Sequence, residues 1–282
     1  MTSDDAAIYC LEQVRRDDRD RYVATLLAPA PARDALFALY AFNLEIAKTR
    51  ETVSEALLGE IRLQWWRETI DGLFTGTPRE HQVVHALDRA VRAHGLPRAP
   101  FDALIDARAR DLDDTPFADL ADLESYAEAT TANLHDLALQ CLEVRDASTH
   151  MAARHVAIGW SLVGLLRSVP YHAGQRRLYL PQALLNSAGV DVEDVFHGRF
   201  SDGIGEVIRT IVGRAREHID DARRLRKDIP KAGRRMLLYA VLADRYADAL
   251  ARAGFNPFGA DLSPSELERP LALIWHAWRG RY

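Results

Sequence analysis

"PARDALFALYAFNLEIAKTRE", Pro31 to Glu51, is the stretch on which the fold turns. Pro31 suits the first turn of a helix, where its missing N–H costs no hydrogen bond. Behind it Leu36, Leu39, Tyr40, Asn43, Leu44 and Ala47 follow one another along a broad face at the helical period. The segment therefore predicts a mostly apolar helix that carries a polar run, "NLEIAKTRE", at its far end.

The same grammar extends in both directions. Ser54 is a good cap for "EALLGEIRLQWWRETIDGLF", in which Leu58, Ile61, Trp65 and Leu73 recur near the helical period and predict the core face. "HQVVHALDRAVRAHG" stops at Gly95, with Pro97 close behind. Further helices are predicted over residues 119–144, 148–170, 202–228 and 231–253, followed by a short terminal one in "LALIWHAWRGRY". No strand pair, tandem repeat or low-complexity tract is present, and the connector-like "SDGIGEVI" and "NPFGADLSPSE" are too short to divide the chain. The prediction is one all-α domain over residues 1–282.

Composition narrows the function. The 282 residues carry 36 Lys and Arg against 41 Asp and Glu, a formal charge of −5, which offers no global attraction to nucleic acid or to an anionic surface. No run is apolar enough to cross a bilayer, and the acidic start "MTSDDAAIYCLEQVRR" lacks the features of a secretory signal or transit peptide. Cys10 and Cys141 each sit in an apolar helical pattern, so buried reduced thiols are expected. A reducing cytosol fits, or a mitochondrial matrix if the protein is organellar.

Several chemical motifs are weak on inspection. Asp102/Asp106 and Asp244/Asp248 are spaced four apart, and Asp111, Asp113 and Asp114 cluster in "RDLDD". Such pairs can grip a metal, but they recur on solvated helices that pair with Arg. His81 and His85 share a helix face without the glutamate of a metalloprotease motif. No phosphate loop, dinucleotide fingerprint or nucleophile elbow occurs. Trp275 and Trp278 could anchor a membrane boundary or a partner, although core packing is the commoner use of such a pair.

The phrases "LLAPAPARDALFALYAF", "LQWWRETI", "RDLDDTPF", "LESYAEATTANL" and "GLLRSVPYHAGQRRLYLP" occur in the order and spacing of one family. On these residues the chain resembles the squalene/phytoene synthases, from about Tyr9 to Pro181 and more weakly beyond. The resemblance implies an isoprenoid-synthase-like helical bundle around a central cavity. It also implies a head-to-head condensation of prenyl diphosphates with bound Mg²⁺, held by two Asp-rich helical motifs. Tyr40, Tyr126, Ala132 and His135 would line the cavity.

The departures fall on the metal motifs. Where catalytic members carry C-R-x-x-D-D-x-x-D, this chain places Ala47, Lys48 and Glu51 at the three Asp positions. In the second motif Ser161 and Gly164 replace Gln and Asn, Arg167 is kept, and Ser168 and His172 replace the acids. Ala132 and His135 stand where the family has glycines. The framework residues Arg33, Trp66, Arg67, Asp111 and Tyr179-Leu180-Pro181 persist. One branch of the family departs in this way: the complex I assembly factors and their bacterial relatives. The resemblance to that branch implies a protein without metal or cofactor. It would help assemble the NADH:quinone oxidoreductase beside the inner membrane, with complex I subunits or assembly intermediates as partners. The Mg²⁺-dependent prenyltransferase is the alternative.

By the same resemblance Lys48 and Arg50 would face a wall carrying Arg167, His172, Arg176 and Arg177. Such a set could hold a lipid or prenyl-diphosphate anion without turning it over. The opposing expectation pairs Lys48 with Glu45 or Glu51 and leaves Arg176 and Arg177, in "QRR", in a solvated turn.

Overall fold

Pro31 stands in the first turn of an 18-residue helix, Ala30–Ala47, as the sequence predicts. The computed structural model describes residues 3–53, 55–259, 262 and 267–282, so Ser54 and its capping role lie outside the described residues. All regular elements among them are helical. They run α1 (Ser3–Asp17), α2 (Arg19–Leu26), α3 (Ala30–Ala47), α4 (Ala56–Thr75), α5 (Gln82–His94), α6 (Ala99–Ala109), α7 (Leu120–Ala127) and α8 (Asn133–Cys141). There follow α9 (Ala147–Arg167), α10 (Val169–Gly174), α11 (Gln182–Ser187), α12 (Val192–Phe196), α13 (Asp202–Arg224), α14 (Tyr239–Arg252) and α15 (Glu268–Arg279).

Two compact units share the chain. One draws on Met1–Asp113, Ala129–His150 and Ile229–Met236; the other on Asp114–Glu128, Met151–Asp228 and Leu237–Tyr282. In the first, α3 is the hub: it packs against α1, α2, α5, α6 and α8. Its run from Ala35 to Leu44 is buried throughout, which is why its sequence is apolar on more than one face. Phe42 meets Trp66 and Phe101 edge-on, at ring distances of 5.3 and 5.6 Å. Gly95 closes α5 with φ 61°, a left-handed turn that glycine adopts without strain.

In the second unit, α13 lays Ile204, Ile208, Ile211, Val212 and Ile219 into the core and packs against α14. Helix α9 crosses α13 closely at Gly159, where an added Cβ would sit 2.8 Å from the Ala215 carbonyl oxygen. Ser201 caps α13 by accepting from the Ile204 N–H. "SDGIGEVI", connector-like in sequence, is therefore the cap and first two turns of the helix predicted over 202–228.

Three other expectations are corrected. The core face of α4 is Gly59, Leu63, Trp66, Ile70 and Leu73, whereas Leu58 and Ile61 are exposed. Both rows have helical spacing and share Leu73, and tertiary packing turned Leu58 and Ile61 of the predicted row outward. The predicted helix over 119–144 is two helices joined by a π-turn at Glu128–Ala132. A helical interruption thus persists in "EATTA" without the family's glycines. The stretches 202–228 and 231–253 each contain a 3-10 segment, Leu225–Asp228 and Gly233–Leu238.

Candidate functional site

The first motif sits where α3 ends. Ala47 is the last helical residue, Lys48 caps the helix, and Glu51 lies in a 3-10 turn, Arg50–Thr52. Three ligands at i, i+1 and i+4 share a face only while the helix continues, and here it stops at the first of them. The one remaining carboxylate at the three Asp positions, Glu51, is exposed to solvent.

Lys48 is held by a partner that sequence reasoning missed. Its Nζ donates to Asp17 Oδ2 at 2.7 Å, at the end of α1, and not to Glu45 or Glu51 as expected. Arg16, and after it Lys48, hold the Asp17 carboxyl below the usual carboxylate range despite partial burial. One turn earlier Glu45 accepts from Gln13 Nε2 at 2.7 Å and from Arg62 at 2.8 Å. The ends of α1 and α3 are thus stitched together at the segment where catalytic relatives gather acids. Nothing in the charged run "RRDDRD" singles out Asp17; only the packing of α1 on α3 does.

The second motif is broken by the helix boundary as well. α9 ends at Arg167, Ser168 caps α10, and Pro170 occupies the first turn of that short helix, where its ring is tolerated. Arg167 places its guanidinium 3.4 Å from the centre of the Tyr246 ring. His172, at an Asp position, lies 4.4 Å from the Tyr179 ring. Tyr179 in turn joins Phe117 and Tyr126 in one aromatic cluster, with ring distances of 5.2 to 6.0 Å. Arg177 donates to the Tyr179 hydroxyl at 3.2 Å, while Arg176 pairs through two nitrogens with Glu193. Gly164 is half-buried, and an added Cβ there would meet no atom within 4 Å.

The structure therefore brings His172, Arg177, Tyr126 and Tyr179 together, and sends Arg167 and Arg176 to other partners. Lys48 and Arg50 belong to the first unit and the other basic candidates to the second. Of the residues expected to line a cavity, Tyr40 is buried beside Arg21 and Met236, His135 is fully buried, and Ala132 is half-buried at the end of the π-turn.

The donor set does not fit a hard divalent cation, which favours several carboxylate or carbonyl oxygens. Ala47 and Gly164 offer no side-chain donor, Lys48 is cationic, and His172 packs against the Tyr171 and Tyr179 rings. Six of the acids that sequence spacing suggested elsewhere are paired with different arginines, Asp113 with Arg110 among them. Asp102 pairs with Arg98, Asp106 with Arg67, Asp111 with Arg108, Asp244 with Arg223 and Asp248 with Arg216. Among the described residues no three His, Cys, Asp or Glu side chains converge on a metal-sized site.

Residues 14–272 match the family model described as squalene/phytoene synthase. A protein of Bos taurus named "NADH dehydrogenase (ubiquinone) complex I, assembly factor 6" is 33% identical over 97% of this chain and 82% of its own length. Among solved structures, squalene synthase from Alicyclobacillus acidocaldarius superposes with a TM-score of 0.79 at 23% identity, covering 90% of this chain and 95% of that one. A ligand-bound dehydrosqualene synthase gives 0.84 at 17% identity, covering 97% and 95%. At those identities the structural likeness speaks to the fold alone, an all-α isoprenoid-synthase-like one. The family match extends over most of the sequence, and the chain belongs to the squalene/phytoene synthase family.

Proposed function

We propose that this chain is a non-catalytic member of its family that acts in the assembly of respiratory complex I, the NADH:quinone oxidoreductase. The observation that carries the reading is Lys48. It stands where catalytic relatives place an acid, and its ammonium is bonded to Asp17. A cation held there opposes Mg²⁺ binding, and the altered second motif offers no compensating acid. The assembly role is drawn from the bovine assembly factor, which aligns along nearly the whole chain. Subunits or assembly intermediates of complex I are the partners in this reading, and no cofactor takes part. The protein would work on the cytoplasmic side of an inner membrane, or on the matrix side in an organelle; no described helix is long and apolar enough to cross a membrane.

Two measurements test it. Purified protein given farnesyl or geranylgeranyl diphosphate, with and without Mg²⁺, is expected to release no pyrophosphate while an active synthase does. Mg²⁺-dependent release would instead establish the prenyltransferase alternative. Deleting the gene in its own organism should reduce assembled complex I on a native gel, with recovery when the gene is returned. Normal assembly in the deletion strain would remove the proposed role.

A further inference from the structure

Helix α15 is fixed at its end and bare along one side. Ala272 and Leu273 are buried, and Tyr282 is buried just beyond the helix. The Tyr282 hydroxyl donates to the Ala222 carbonyl at 3.1 Å, and Arg223 Nε donates to the Tyr282 main-chain oxygen at 3.0 Å. Those bonds hold the helix end on α13, while α14 packs against α15 as well.

The outward side carries Leu267, Leu271, Ile274, Trp275 and Trp278, at i, i+4, i+7, i+8 and i+11. They form one stripe at the helical period, and each is at least half exposed; Trp278 reaches 77%. The expectation that Trp275 and Trp278 pack the helix down is therefore corrected: Ala272, Leu273 and Tyr282 do that work. Scattered exposed leucines need no explanation, but a continuous row of five large apolar side chains marks an interaction surface.

Its chemistry points to the occupant. The indoles of Trp275 and Trp278 lie 5.7 Å apart, and the Arg279 guanidinium rests 4.2 Å from the centre of the Trp275 ring. Residues 267–281 carry three arginines against one glutamate, within a chain of net charge −5. Arg279 and Arg281 are both exposed. Indoles favour the headgroup level of a bilayer, arginines reach anionic headgroups from the same depth, and leucine and isoleucine enter the acyl boundary. A positive end on an otherwise acidic protein matches the negative surface of such a membrane.

We infer that α15 is an in-plane docking helix for an anionic lipid surface. The inference stands apart from the assembly reading, since it concerns where the protein rests and not what it helps to build. Full-length protein is floated with phosphatidylcholine–phosphatidylglycerol vesicles and with phosphatidylcholine alone. It should float with the mixed vesicles, and added salt should weaken the association. W275A/W278A should lower that binding by about tenfold or more, and R279E/R281E should weaken it chiefly for the anionic vesicles. All four side chains are exposed, so unchanged circular dichroism and melting are expected and would establish that the variants fold. Brominated lipid should quench indole emission of the parent protein, and the quenching should be largely lost in W275F/W278F.

Absence of flotation with anionic vesicles would overturn the proposal. So would equal flotation of the parent and W275A/W278A, or a parent dimer that W275A/W278A converts to monomer without any vesicle binding. The last result would assign the stripe to a second copy of the chain. None of these outcomes bears on the pyrophosphate or deletion measurements.

Discussion

Lys48 shows how a single side chain can change what a helix end is for. Its bond to Asp17 lies in a partly exposed setting, so a modest net contribution is expected, about 0.5–1 kcal/mol. A double-mutant cycle of K48M and D17N should return a coupling energy in that range by urea denaturation. No coupling would mean that the pair is an incidental surface contact. Because Asp17 is held below the ordinary carboxylate range, the bond is fully present above the unfolded carboxyl value, about 3.9, and is lost as pH falls through the lower folded value. D17N should therefore flatten the acid limb of the stability profile.

At the scale of the element, two glycines on one helix make opposite forecasts. A Cβ at Gly159 would press on the α13 backbone at Ala215 and on Ile219, so G159A should cost about 1–3 kcal/mol through overpacking. Gly164 faces no atom that an added methyl would meet, so G164A should gain about 0.5–1 kcal/mol from helix propensity. Thermal melts of the two variants should move in opposite directions. The α7–α13 contact supplies a pH test. Burial raises the Glu124 carboxyl, but the Arg214 bonds and charge outweigh it and leave the value lowered. That contribution is present above about pH 4.3 and disappears as acid protonates Glu124 in the folded protein. E124Q should lower the melting temperature at pH 7 and have little effect once the carboxylate is protonated.

For the whole molecule, burial silences the thiols. Cys10 and Cys141 are buried and free, and burial pushes each thiol up to about 12. A thiolate reagent at neutral pH should modify neither in the native protein and both in denaturant. Native labelling at a rate independent of stability would contradict this picture. The all-α fold was legible because long apolar periodicities and stops such as Gly95 depend only on neighbouring residues. The altered metal motifs were equally plain, since they are a matter of residue identity. Which row of α4 faces inward was not legible, because Leu58 and Leu63 both have helical spacing and only packing chooses. The Asp17 partner of Lys48 was hidden for a related reason: 31 positions separate the two, and no local rule links them. The π-turn at Glu128–Ala132 had no glycine to announce it.

The bond between Lys48 and Asp17 also shapes the routes by which this sequence can change. Reinstalling an acid at position 48 would bring a carboxylate toward Asp17 and strand a charge that Lys48 now balances, though Arg16 also bonds it. A change to an acid at position 48 should therefore cost less stability when position 17 is changed with it, and the K48E and K48E/D17N melts would show the difference. The contact thus ties the residue at position 48 to the one at position 17, with a strength set by the modest energy of the pair.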